Sequence, residues 1–465
     1  MAPLLLLLLL LLFTLSNAHT SSRIGVNYGQ LGDNLPSPSE SISLIKTQTK
    51  FTRVKIYDAN PSILKSLSKT HLQVSIMVPN QIIPSISTNR TASDVWIRSN
   101  VLPFYPSTKI RYLLVGNEIL SDYSIQNSTW PNLVPAMKNI KASLKRFGIG
   151  NVKVGTPLAM DALQSSFPPS NGTFRADISE SVMKPMLEFL TKTKSYFFVD
   201  AYPYFVWAGD RTNVNLDYAL FRAGGAHTYT DPKSGLLYTN LLDQMLDAVV
   251  FAMDRVGFGS VRLAVAETGW PNSGDYDQIG ANTYNAAIYN RNLARRFTAK
   301  PAFGTPARPG VVIPIFVFSL YNENQKPGPG TERHWGVFYP NRTAVYEVDW
   351  TGKKPDRDYE PLPVPTNDEP YKGKIWCVAV SGANVTDLGG GLAYACGQGK
   401  GTCDAIQKGR ECYKPNTVEA HASYAFNAYW QQFRSSGGTC YFNGVAQQTI
   451  KDPSYGSCKF PSSTS

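Results

Sequence analysis

No cysteine occurs in the first 376 residues of this 465-residue chain, and all six that it has come after: Cys377, Cys396, Cys403, Cys412, Cys440 and Cys458. So abrupt a change implies two modules built on different principles. A large one is held by its apolar core, and a small one of about 90 residues is stapled by disulfides. The small module has no CxxC pair, which argues against zinc. Its six cysteines allow 15 pairings, among which the sequence does not choose. Histidine is also scarce. The five, His19, His71, His227, His334 and His421, are dispersed and form no HExxH, which excludes a metalloprotease. Gly389-Gly390-Gly391 is not followed by a Walker lysine, and no Rossmann or EF-hand pattern occurs, so neither a metal nor another cofactor is expected. The net charge of +11 is scattered, without a run of Lys or Arg, and nucleic acid is not an expected partner. One apolar run is long, the leucines of residues 4–15, yet it is too short for a membrane span. No Lys or Arg precedes it, but Ser16-Asn17-Ala18 supplies small residues at its end, and 1–18 reads as a signal peptide. No later segment is apolar enough to cross a membrane, and residues 459–465 lack the hydrophobic tail of a glycolipid-anchor signal. A secreted, extracellular product is expected. Its sequons at Asn89, Asn127, Asn171, Asn341 and Asn384 are candidate glycan sites on surface loops.

What is present is a rhythm. Apolar, β-branched runs recur at 24–28, 54–57, 74–78, 112–115, 152–155, 197–199, 263–266 and 313–320. Segments of helical character, such as 133–147, 241–256 and 282–297, separate most of them. Eight βα units over about 330 residues fit a (β/α)8 TIM barrel, with a small disulfide-stapled module rich in helix behind it. In that fold the chemistry sits at the C-terminal ends of the strands. Two of the runs stop abruptly at a glutamate: Leu113-Leu114-Val115-Gly116-Asn117-Glu118 and Leu263-Ala264-Val265-Ala266-Glu267. Both carboxylates would then emerge on one rim. Two carboxyl groups facing each other across a rim are the apparatus of glycoside hydrolysis. Asn117, beside Glu118, is placed to hydrogen-bond a sugar hydroxyl near the reacting carbon. Gly269 would permit close approach of substrate, and Trp270 offers either a flat wall for a sugar ring or a core anchor. Past the eighth run come Glu323, Lys326 and Glu332, a cluster that reads as a solvated ion-pair group or as a cation serving the cleft.

These motifs together resemble a plant family 17 glycoside hydrolase, an endo-β-1,3-glucanase, fused to an X8 module (carbohydrate-binding module family 43). The match runs through Ile24-Gly25-Val26-Asn27-Tyr28-Gly29-Gln30, Val115-Gly116-Asn117-Glu118, Tyr202-Pro203-Tyr204-Phe205, Glu267-Thr268-Gly269-Trp270-Pro271 and Asn322-Glu323-Asn324-Gln325-Lys326. The X8 likeness rests on Trp376-Cys377-Val378, Cys412-Tyr413-Lys414-Pro415-Asn416-Thr417 and His421-Ala422-Ser423-Tyr424-Ala425-Phe426-Asn427. The resemblance implies Glu118 as proton donor and Glu267 as nucleophile of a retaining mechanism. It implies Glu323, Lys326 and Glu332 as a supporting cluster, and Tyr28, Tyr202 and Tyr204 as cleft-lining residues. It also implies β-1,3-glucan binding by the small module. Two positions depart from the pattern: Asn27 stands where many members have cysteine, and Asp200 near a usual asparagine.

The expected organisation is a signal peptide over 1–18, a catalytic barrel over 19–352, a proline-rich linker over 353–372 and an X8 glucan-binding domain over 373–465. Prolines at the linker's density favour an extended spacer. The helix read over Glu419–Phe433 cannot place Tyr424, Phe426, Tyr429 and Trp430 on one face, so some of them must be core. The expected product is a secreted monomer in the cell wall that hydrolyses β-1,3-glucan of the callose or laminarin type. A glucanosyltransferase, a mixed-linkage glucanase and a glucan-binding wall protein without turnover are the rival expectations.

Overall fold

The computed structural model describes residues 24–462, so the signal peptide expected over 1–18 lies outside the described residues. Parallel strands form a barrel in the order of the chain: β1 (Ile24–Asn27), β2 (Arg53–Lys55), β3 (Gln73–Val78), β4 (Lys109–Val115), β5, β6 (Tyr196–Asp200), β7 (Arg262–Thr268) and β8 (Ile315–Val317), with β8 against β1. β5 has two arms. Lys153–Gly155 pairs with β4, and Pro157–Ala159 pairs with β6. Thr156 alone separates the arms. Pro157 has no N–H with which to continue a ladder, and the strand passes from one neighbour to the other there, closing the ring.

Side chains alternate along each strand. Val54, Ile56, Leu113 and Val115 pack outward in the main core with the helices, while Tyr112, Leu114, Tyr196, Phe198 and Phe316 fill the barrel interior as a separate cluster. The outer layer is α1 (Pro38–Gln48), α2 (Pro61–Ser66), α3 (Arg90–Asn100), α4 (Leu133–Arg146), α5 (Lys184–Thr193), α6 (Leu241–Arg255) and α7 (Thr283–Thr298). Their starts are legible in the chain: Ser37, Asn60, Asn89, Asn240 and Asn282 each cap a helix by accepting a backbone N–H. The expected eighth helix is missing. After β8 the sequence Gln325-Lys326-Pro327-Gly328-Pro329-Gly330 supports only a short 3-10 turn, Gly330–Arg333, and Trp335, Val337 and Trp350 complete the core instead.

The small module pairs β9 (Trp376–Ala379) with β10 (Ala446–Thr449) and stacks α8 (Val385–Gln398) on α9 (Val418–Phe433). Its cysteines pair as Cys377–Cys440, Cys396–Cys403 and Cys412–Cys458. On α9, Phe426 and Trp430 are buried, and Tyr424 and Tyr429 flank the core.

Apart from a 3-10 turn at Asp356–Asp358, the linker has no regular structure, and it is bonded to the barrel at several points. Asn367 donates to the carbonyls of Gln278 and Ala281, and Asp368 accepts from Asn282 and Asn285 at the start of α7. Nearer the barrel, the Arg291 guanidinium lies 3.7 Å from the Tyr359 ring centroid.

Candidate active site

Glu118 and Glu267 line one cleft of about 330 Å3 at the C-terminal mouth of the barrel, together with Tyr202, Phe205, Lys326, Glu332 and Trp335. Each glutamate is delivered by a break in regular backbone. Past β4, Gly116 turns the chain at φ 73°, where an added Cβ would meet Ile119 and Ile83. Glu118 itself is held in the left-handed region at φ 46°, ψ 36°, a conformation that non-glycine residues adopt at a cost and that clusters at functional sites. Asn80 fixes the approach by bonding both the N–H and the carbonyl of Asn117. On β7 the register slips after Val265 against both neighbours, between Val265 and Glu267 on β6 and between Val265 and Thr268 on β8. Ala264 and Ala266 belong to the interior cluster, so strict alternation would turn Glu267 outward. The bulge turns it into the mouth.

The two carboxyls have opposite surroundings. Lys55 Nζ lies 2.6 Å from Glu267 Oε1, the Tyr57 hydroxyl donates to the same oxygen at 2.6 Å, and the Tyr202 hydroxyl donates to Oε2 at 2.7 Å. Burial pushes the Glu267 carboxyl up, but the Lys55 charge and these donors outweigh it and hold the group below the ordinary glutamate range. Among the described residues, Glu118 has no such cation in contact. Burial first, then the negative charge of Glu267, pushes it up to about 7. Environments that separate the pKa values of two neighbouring carboxyls assign one the proton and the other the charge.

The remaining expected residues fall into three groups. Lys326 and Glu332 form an ion pair at 3.0 Å on the cleft wall. Glu323 is buried behind them, accepting from the Leu31 N–H at 2.7 Å. Asn117 is half-buried, and its Oδ1 has no hydrogen-bond partner among the described residues. Tyr28, Tyr204 and Trp270 are all buried. Tyr28 bonds Ser41 and packs on Tyr321, whereas Tyr204 packs between Trp270 and Trp335 beneath the surface. Trp270 is the core anchor of the two alternatives, donating to the Gly280 carbonyl. Gly269 admits the Phe318 carbonyl, which an added Cβ would meet at 2.3 Å, and not substrate.

Sequence reasoning missed Lys55 and Tyr57. Arg53-Val54-Lys55-Ile56-Tyr57 alternates, so a strand with Val54 and Ile56 outward must turn its cation into the barrel. A lysine inside a barrel demands a carboxylate partner. Asp200, noticed only as a departure, pairs in register with Glu267 and lines the same cleft. Both its carboxyl oxygens are buried without a hydrogen-bond partner among the described residues. Burial, then the Glu267 charge, raises it well above the carboxylate range.

A parallel barrel whose mouth sets the Glu267 carboxyl, held low by Lys55, beside the Glu118 carboxyl, raised to about 7, has the paired carboxyls of a glycoside hydrolase. Comparison with known proteins sharpens the class. The model of glycosyl hydrolases family 17 matches residues 24–350, and the X8 domain model matches residues 375–447. The chain belongs to glycosyl hydrolase family 17 and carries an X8 domain behind its barrel. It is 56% identical over 444 residues to "Probable glucan endo-1,3-beta-glucosidase A6" of Arabidopsis thaliana, covering 96% of this chain and 92% of that protein. It is 37% identical to "Glucan endo-1,3-beta-D-glucosidase" of Olea europaea, covering 99% of this chain and 98% of that one. Among solved structures, a β-1,3-glucanase and allergen of Cryptomeria japonica pollen superposes with a TM-score of 0.66 at 38% identity, covering 70% of this chain and 99% of its own.

Proposed function

We propose that the protein is an endo-hydrolase of β-1,3-glucan, acting on callose or laminarin by double displacement with retention. Glu118 protonates the glycosidic oxygen, Glu267 attacks the anomeric carbon, and Glu118 then takes a proton from the water that releases the glycosyl-enzyme. The observation that carries this reading is the separation of the two carboxyls' protonation. Glu267 is held anionic by Lys55, Tyr57 and Tyr202, as a nucleophile requires, and Glu118 keeps its proton to about pH 7, as an acid requires. The names of the full-length relatives supply the substrate. The small module binds the same polymer, and residues 1–18 direct the chain out of the cell to the wall. The five sequon asparagines, all exposed, carry glycans there.

The test is to incubate the purified chain with laminarin and, separately, with a β-1,4-glucan, while sizing the products and following new anomeric signals by NMR. Shorter β-anomeric products from laminarin alone are expected. Longer products would replace hydrolysis by glucanosyl transfer. No products, with laminarin still bound, would leave a binding protein and sink the catalytic assignments.

A further inference from the structure

A large cavity outside the cleft lies in the seam between the two modules. About 830 Å3 opens between the loop after β7, the linker and the edge of β10, within the range of ligand sites. Its lining is neither apolar nor of one charge. Tyr276 and Tyr371 present rings 6.1 Å apart between centroids. Asp275, Lys372 and Gln447 set acceptors and donors around them. Tyrosine rings among amides and mixed single charges suit a neutral, hydroxyl-rich ligand with apolar C–H faces. They do not suit a polyanion or a lipid.

The seam is fixed, and it adjoins the cleft. Gln448 of β10 clamps the barrel loop, accepting from the Tyr276 N–H at 3.0 Å and donating to Asp277 at 3.0 Å. Tyr441 donates to the carbonyl of Gln325, the residue before the cleft's Lys326. Arg333, next to the cleft's Glu332, lies over the Tyr441 ring at 4.5 Å and bonds the Lys326 carbonyl. The loop that carries Tyr276 is tied to the same ridge through Asp275, which accepts from the Gly330 N–H. One ridge, 325–334, therefore has the catalytic cleft on one flank and the small module on the other.

We propose that this seam is a second saccharide-binding groove, built jointly by both modules, that holds a glucan chain extending beyond the catalytic cleft. It rests on the reading of the enzyme as a β-1,3-glucan hydrolase. It adds that recognition of long polymer resides in the docked arrangement of the modules, with Tyr276 and Tyr371 as the stacking surface.

The test uses the full-length chain carrying Glu118→Gln, which binds without turning over. Brief hydroxyl-radical pulses are applied with and without laminarin, and oxidation is read by mass spectrometry at Tyr276, at Tyr371 and at the cleft's exposed Phe205. Protection at all three is expected. Protection of Phe205 with Tyr276 and Tyr371 unchanged overturns the groove and leaves the hydrolase reading standing. Protection nowhere overturns both. Independently, Tyr276→Ala in the active chain should lower the ratio of kcat/KM on laminarin to kcat/KM on a β-1,3-linked trisaccharide. A drop of about five-fold, carried by KM, is the order expected of one lost ring contact. An unchanged ratio overturns the proposal. The ring is about half exposed (48%) and is not part of the core, so the variant tests recognition and not folding.

Discussion

The Lys55 ammonium and the Glu267 carboxylate meet at 2.6 Å inside the barrel mouth, the lysine side chain at 0% and the glutamate side chain at 8% exposure. With so little solvent contact, each charge leans on the other. The ionisation of Glu267 and part of the barrel's stability are one interaction.

Lys55→Met should therefore fail twice. Leaving a buried carboxylate without its cation costs about 3–5 kcal/mol of stability. The surviving folded enzyme should need a higher pH to ionise Glu267, moving the acid limb of the pH–kcat/KM profile upward. The double variant Lys55→Met/Glu267→Met should recover most of the melting temperature and none of the activity. A single variant with native stability and an unmoved acid limb would show that the pair is not coupled.

With Glu118 as the proposed acid, the alkaline limb is expected to follow its carboxyl. Turnover needs it protonated, so kcat/KM should fall as pH rises through about 7. Because the Glu267 charge contributes to that elevation, a Glu118 pKa followed by carboxyl NMR should drop in Glu267→Gln. A limb that tracks some other group, or an unmoved Glu118 resonance, would reassign the acid.

The same elevation has a thermodynamic sign. Glu118 binds its proton more tightly folded, at about 7, than at the ordinary 4.5, so the stability it contributes is complete below pH 4.5 and is lost as pH rises to about 7. Glu118→Gln carries no charge to desolvate. It should exceed the native chain in stability at pH 8 by up to about 3 kcal/mol, and match it near pH 4. Denaturant unfolding at the two pH values decides this, and equal differences at both would contradict the linkage.

Asp200 should behave likewise. Its raised pKa means that stability falls once pH climbs through its folded value. Asp200→Asn keeps the shape and removes the ionisation, so its melting temperature should gain on the native chain as pH rises and never the reverse.

Much of this site was legible before any fold. Glu118 and Glu267 stood out because an apolar strand that ends on a carboxylate is an unusual juxtaposition, and family motifs surround both. Their supports were less visible for identifiable reasons. Lys55 sat within a run read as apolar, and its inward direction follows only from the alternation of Val54 and Ile56. Trp270 and Tyr204 carried cleft motifs but lie one layer below the surface, since adjacency in sequence does not say which aromatic meets solvent. The final strand was expected over 313–320 and is regular only at Ile315–Val317, because Pro314 offers no N–H and the residues beyond pair irregularly with Thr268 and Asn27. The linker's composition revealed its lack of regular structure, but its bonds to Gln278, Ala281 and Asn282 depend on residues far away in the chain.

The uneven placement of cysteine gives the two halves different sensitivities to their surroundings. All three cross-links lie behind residue 376, in a module too small to rely on its core alone, and the barrel contains no sulfur–sulfur bond to lose. A thiol reductant is thus a selective solvent for this chain. It should dissolve the rear module, and with it the seam, and leave a barrel still able to cut short oligosaccharides. Folding in a reducing compartment would yield the same truncated repertoire. On the proposed groove, the oxidation state of the environment would set the length of polymer the enzyme can grip and leave the bond it cleaves unchanged.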